Sequence, residues 1–320
     1  MSRRVSILLL TISVLLLHSV TYAQLEQKDF PRVPGAKLLT GYPGYSLALT
    51  TSRDTIMLQN NAGDLNLHPS FSQDGKLIVS GRQVKGDERR WTCVLQVYSV
   101  EETRWRDYGR YECLGKFTIS PDDSTVAFAL AEQENKHRVH LHLLNLATGA
   151  DQEGPVISSD PYVSLSWSPD GTRIVFDSGQ RNFGRPTPNT ISILELATGK
   201  ITKIADGVSP AWSPSGEWIA YLDEVSPRAG GPLSERAYLI HPDGTGAKIL
   251  SQLSDHWPLY RTFHAYFAPV WLPDSTKILL NEMLDFDKFT FTIDEVDIST
   301  QKMTRLAKGK PPVFGWAMEK

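Results

Sequence analysis

The stretch "SLSWSPDGTRIVFDSG" (164–179) reads as two β-rich runs joined by Ser-Pro-Asp-Gly. The fold turns on whether this hairpin stands alone or is one copy of a unit. It recurs: "LHPSFSQDGKLIVSG" starts at Leu67, "KFTISPDDSTVAFAL" at Lys116, "VSPAWSPSGEWIAYL" at Val208 and "FAPVWLPDSTKILLN" at Phe267. Aligned on the turn, one column reads Phe71, Ile119, Trp167, Trp212, Trp271. Beyond the turn come Ile78, Val126, Ile174, Ile219, Ile278, and next to them Val79, Ala127, Val175, Ala220, Leu279. Apolar residues in the same columns of five copies identify a repeat protein.

The turn explains its own residues. Proline presets φ at the first central position, aspartate suits the second, and glycine accepts the left-handed conformation that follows. Asp123 and Ser275 stand in place of that glycine in two copies, at a cost of about 1 kcal/mol each. A second set of columns, "LLNLATGA" (143–150), "ILELATGK" (193–200) and "EVDISTQK" (295–302), marks a third strand and a tight turn. Short fourth strands such as "KITKIA" and "KMTRLA" follow. The aromatic columns fall 48, 48, 45 and 59 residues apart.

A four-stranded antiparallel unit of this length, repeated with an aromatic in its first strand, is a propeller blade. A blade has two apolar faces and cannot cover both alone, so neighbours stack and the ring closes; an open stack is the alternative. The C-terminal "PPVFGWAMEK" (311–320) matches "APVWLPDSTK", with Phe314 on Trp271, and then the chain ends. Near the other end, "YSLALTT" (45–51) and "DTIMLQN" (54–60) are strand-like runs without a first strand. The expectation is an all-β, six-bladed β-propeller of four-stranded blades, its ring closed by pairing of N- and C-terminal strands, with the C-terminal strand innermost. It occupies residues 45–320, and 24–44 read as a linker.

The columns carry a family likeness. "WSPDGTRIVF", "WSPSGEWIAY" and "FSQDGKLIVS" resemble the WD40-like Pro-Asp repeats of the TolB-type six-bladed propeller, and "HPDGTGAKIL" (241–250) is similar to the segment between strands three and four of those repeats. Proteins of the TolB type carry a further α/β domain before the propeller; here the linker-like "QLEQKDFPRVPGAKLLTGYPG" precedes the first strand-like run, so the expectation is a TolB-like propeller without that domain. The resemblance implies a secreted or periplasmic protein-binding role, with a partner in the cell envelope, and names no particular one.

The first residues agree with export. Arg3 and Arg4 precede the apolar run "VSILLLTISVLLL" (5–17), and "HSVTYA" ends at Ala23. The run is shorter than the ~20 apolar residues of a bilayer span and describes a signal peptide over 1–23, cut between Ala23 and Gln24; an uncleaved anchor is the alternative. No lipoprotein cysteine follows, and nothing later is apolar enough to span a membrane. A formal net charge of −3 gives no reason to expect nucleic acid, whose binders carry basic patches. The mature ring is expected to be a monomer.

Catalytic signatures are missing from the sequence. There is no G-x-S-x-G elbow, no D-x-[DN]-x-[DN]-G calcium loop, and no pattern that calls for a cofactor. His140 and His142 in "HRVHLH" share one strand face, which reads as blade surface, or as part of a zinc site only if further ligands converge. The reading is therefore a non-catalytic binding scaffold; a propeller hydrolase or lyase, or a glycan or small-ligand binder at the channel mouth, is the alternative. Cys93 and Cys113 bracket a hairpin of the first blade and are candidates for a disulfide, as expected of an exported chain; two separate buried thiols are the alternative.

Connections one-to-two and three-to-four are tight turns on one side of the disc. The long loops, among them "GRQVKGDERR" (81–90), "SGQRNFGRPTPN" (178–189) and "NEMLDFDK" (281–288), fall on the other, and the surplus "SQLSDHWPLYRTFHAYF" (251–267) lies in the fourth strand of its blade or in the loop after it. Long loops on a rigid scaffold are where binding resides, and aromatics with arginine make interface anchors. Trp257, Tyr260, Arg261, His264, Arg181, Arg185 and Arg89 are thus the candidate partner-binding residues; packing of the aromatics on blade edges is the alternative.

Overall fold

The computed structural model of the chain describes residues 31, 36–41, 47–58, 65–83, 92–112, 114–179, 189–225, 233–256, 268–285, 290–310 and 313–318. Among them are twenty-four β-strands in six four-stranded antiparallel sheets, and no helix among the described residues. The strands that open the chain are β1 (Ala36–Gly41), β2 (Leu47–Thr50) and β3 (Thr55–Leu58). The first repeat is β4 (Leu65–Phe71), β5 (Leu77–Gln83), β6 (Thr92–Ser99) and β7 (Arg104–Glu112). The second is β8 (Thr118–Ile119), β9 (Thr125–Ala131), β10 (Val139–Asn145) and β11 (Asp151–Ser158). The third is β12 (Leu165–Trp167), β13 (Arg173–Ser178), β14 (Thr190–Glu195) and β15 (Ile201–Asp206). The fourth is β16 (Val208–Trp212), β17 (Ile219–Val225), β18 (Leu233–Ile240) and β19 (Lys248–His256). The fifth is β20 (Val270–Trp271), β21 (Lys277–Asp285), β22 (Thr290–Asp297) and β23 (Met303–Lys310). The last strand, β24 (Val313–Met318), heads a sixth blade in the order β24-β1-β2-β3.

The sequence columns are pairing partners. Phe71 faces Ile78, Ile119 faces Val126, Trp167 faces Ile174, Trp212 faces Ile219 and Trp271 faces Ile278. Consecutive strand residues point to opposite sheet faces, so the two apolar columns of each second strand serve different seams. Val79 and Val126 share one apolar cluster, Ala127 and Ile174 the next, Val175 and Ile219 the next, and Ala220 and Ile278 a fourth. All ten column side chains are at most 1 % exposed. Burying a side chain of this size contributes about 1.5–3 kcal/mol, so the seams, more than the turns, hold the ring.

The turns form as their residues dictate. Asp123 and Ser275 adopt φ of 59° and 61°, beside 72° for Gly75 and 70° for Gly171. In four of the five copies a serine opens the turn and organises the loop: Ser168 Oγ donates to Asp170 Oδ1 at 2.5 Å and accepts from Arg173 N at 2.9 Å. Ser120 Oγ repeats this with Asp122 and Thr125 N, at 2.6 and 2.9 Å.

The closing blade has one more strand than the sequence suggests. β1 lies inside 24–44, the stretch expected to be a linker, and runs antiparallel between β24 and β2, with Leu38 opposite both Trp316 and Thr50. "AKLLTG" (36–41) has no turn motif of its own, because its partner strand is more than 270 residues away in sequence. In the seam to the first blade, a Cβ on Gly315 would sit 2.4 Å from Phe71 Cβ. Glycine is required there for the ring to shut.

The structure also lengthens the hairpins. β5 and β21 run into stretches expected to be loops, and β19 takes up 248–256, so part of the surplus after 251 is strand.

Candidate functional site

The inner strands of all six blades surround a central channel. Its mouth, on the side of the one-to-two turns, is a recess of about 150 Å³. Gln73, Pro121, Pro169, Pro214 and Pro273 of the turns make its rim. One step further in lie Ser70, Thr118, Ser166, Ala211 and Val270, each next to the aromatic column in its strand. The proline that shapes four of the five turns therefore also gives the opening a stiff edge.

Lys116 is the one charged residue among those lining the mouth in the described structure. It precedes β8 by two residues. Its N–H donates to Val163 O at 2.9 Å, an approach that Gly115 permits, since a Cβ there would lie 2.8 Å from that same oxygen. Burial pulls the Lys116 pKa down to about 8, against the opposing charge of Asp177. Asp177, on β13, has other duties: Oδ1 accepts Ser164 N at 2.7 Å and Oδ2 accepts Ser209 N at 2.8 Å. These two amides and Lys116 occupy the same repeat position in three successive blades. Asn281 sits in the Asp177 column and likewise clips Val313 through its N–H and C=O, at 2.8 and 2.9 Å.

Two other features lie on the turn side. Asp74 and Asp123 bring their carboxyls together between the first and second blades. Burial works against ionised Asp74, but the hydrogen bond and charge of Lys76 outweigh it and hold its pKa low. Burial and the Asp74 charge push Asp123 up to about 6. A broader cleft, of about 700 Å³, crosses the seam of the second and third blades over Leu143, Trp167 and Leu196. It is open because Thr125 stands where the next three blades carry Arg173, Trp218 and Lys277.

The residues singled out from the sequence are distributed unevenly. Trp257, Tyr260, Arg261, His264, Arg181, Arg185 and Arg89 lie outside the described residues, as do Ala23 and Gln24. Cys93 is disulfide-bonded and 2 % exposed; Cys113 lies outside the described residues. His140 contacts Gly154 O through Nδ1 at 3.0 Å and Glu132 Oε1 through Nε2 at 2.8 Å. Burial disfavours its charge, but those contacts and Glu153 outweigh it and raise its pKa. His142 leans on Phe128, ring centroids 5.4 Å apart, and contacts Asp151 at 3.1 Å. Both imidazoles thus tie neighbouring strands of one blade together. Among the described residues no group of three His, Cys, Asp or Glu is placed to hold a metal ion.

Sequence reasoning missed Lys116 and Asp177. The repeat alignment does hold a signal: lysine replaces His68, Ser164, Ser209 or Ala268 of the other blades at its position.

Ring, closing blade and Pro-Asp turns define a six-bladed β-propeller whose inner strands frame a narrow mouth. In fold it is similar to the TolB propellers. No family model matches the chain. The Tol-Pal system protein TolB of Francisella tularensis subsp. mediasiatica (strain FSC147) is 27% identical over 201 residues, covering 48% of this chain and 44% of that protein. The chain thus matches less than half the length of this relative. Of solved structures, TolB from Acinetobacter baumannii matches with a TM-score of 0.66 and 13% identity, over 89% of this chain and 66% of that one. Oligogalacturonate lyase in complex with manganese matches with a TM-score of 0.50 and 16% identity, over 85% and 74%. At such identities the structural likeness is one of fold.

Proposed function

We propose that this protein is an exported, non-catalytic propeller, a monomer that binds a protein partner in the cell envelope, in the periplasm or outside the cell. The observation that carries this reading is the pairing of a complete ring of Pro-Asp blades with sequence similarity to TolB proteins of the Tol-Pal system. The basic and apolar start of the chain supports export, and no helix of the described residues is long and apolar enough to cross a membrane. The partner docks on the long-loop side through Trp257, Tyr260, Arg261 and His264, with Arg89, Arg181 and Arg185 around them.

Pull-down from envelope extract with mass spectrometry tests the reading: it expects a single stoichiometric partner. Alanine at both Trp257 and Tyr260 is expected to abolish capture while leaving the thermal transition nearly unchanged. Loss of the fold would instead make those rings core. Catalysis at the channel mouth is the second reading, because an oligogalacturonate lyase shares the fold. Turnover of a glycan or peptide library, with no protein captured, would favour it.

A further inference from the structure

We propose that the mouth of the central channel is a binding site for a single carboxylate group, with Lys116 Nζ as its cationic anchor. This inference stands apart from the protein-docking reading and uses the opposite side of the ring.

Lys116 is half-buried, and an ammonium partly shielded from water favours a partner of opposite charge or a set of acceptors. Among the described residues, Lys116 has neither an ion pair nor a side-chain hydrogen bond. The carboxylate that acts on it most, Asp177, already spends one oxygen on Ser164 N and the other on Ser209 N. No acidic residue lines the recess. A lone positive charge in a narrow, low-dielectric funnel focuses its field on whatever enters.

The recess also sets the size and valence of the guest. Its roughly 150 Å³ holds a few waters, at about 30 Å³ each, or one carboxylate with a short stem. One cation balances one negative charge; a phosphate ester, with about two, would leave one uncompensated. Ser70, Thr118 and Ser166 line the same recess, and Ser166 Oγ accepts Trp212 N at 3.0 Å. The ammonium is a donor without acceptor capacity, and it suits carboxylate oxygens. The Lys116 backbone is pinned to Val163, and four of the five turn residues at the rim are proline.

The guest carboxylate can be a free monocarboxylate or an acidic side chain of a docked protein, and the test separates the two. Protein labelled with ¹³C at lysine Cε is titrated with acetate, with N-acetylglutamate α-amide, and with chloride; Lys116→Met assigns the Lys116 signal. A saturable shift of that signal with either carboxylate, and a much weaker one with chloride, is expected. Tighter binding of the amide identifies a protein side chain as the source, and tighter binding of acetate a free anion. Lys116→Met is expected to lower acetate affinity, read from acetate-induced thermal stabilisation, by about tenfold or more, the loss of one charge-assisted hydrogen bond. Lys116→Arg keeps the charge and retains the stabilisation. Should Lys116→Met fail to fold, Lys116→Arg gives the assignment and the titration still decides. No saturable shift, or an equal response to chloride, overturns the proposal.

Discussion

Trp271 Nε1 donates to the carbonyl oxygen of Ala211, 2.9 Å away across the seam between the fourth and fifth blades. Trp167 makes the same bond to Thr118 O, at 3.3 Å, between the second and third. In each case the acceptor is the residue just before the aromatic column of the preceding blade. The tryptophan is therefore both filler and stitch. Trp271→Phe keeps most of the apolar surface and removes the bond, so it should destabilise by about 1 kcal/mol. Trp271→Ala also opens a cavity and should cost about 3–5 kcal/mol. Chemical denaturation of both variants checks this; equal losses would mean that the indole N–H contributes nothing.

Gly315 permits the first and sixth blades to meet at Phe71. Gly315→Ala places a methyl group within 2.4 Å of Phe71 Cβ, and overpacking of this kind costs about 1–3 kcal/mol. Gly154→Ala, whose nearest contact would be 3.2 Å, to Leu141 O, should lower the melting temperature less. The two variants melted side by side give the comparison.

Asp123 makes stability depend on pH. Its pKa is raised to about 6, above the ordinary value of about 3.9. The folded state therefore takes up the proton more readily than the unfolded chain. The benefit is whole below about pH 4 and is lost as pH rises through about 6. Asp123→Asn tolerates the positive φ and removes the charge. It should raise the melting temperature at neutral pH, with a gain that fades towards pH 4. A gain constant with pH would assign the effect to the turn backbone instead.

Cys93 is disulfide-bonded, and Cys113 is the chain's only other cysteine. A bridge between them closes a 21-residue loop, which contributes about 3 kcal/mol on the chain-entropy model. Reductant should lower the melting temperature and raise the mass by two hydrogens. An unchanged mass would rule out the intramolecular bridge.

The fold was legible because repetition turns weak signals into strong ones. A single "WSPDGTRIVF" is a hairpin; five in register give blade, seam and ring, down to the left-handed Asp123 and Ser275. β1 was not legible, since "AKLLTG" repeats nothing and owes its pairing to β24, at the far end of the sequence. Lys116 was hidden for a related reason. Its role depends on the absence of charge at positions contributed by five other inner strands, and only the closed circle brings those together. His140 and His142 could be placed on one strand face from sequence, but their acceptors, Gly154, Glu132 and Asp151, could not.

Innermost in the sixth blade, β24 is nonetheless synthesised after every other described strand. Until it is in place β1 has a bare edge and Phe71 lacks its Gly315 neighbour. A nascent chain can assemble five blades before the circle is able to shut. A chain cut short before β24 would stay open at one seam, easily distinguished by proteases from one that carries it.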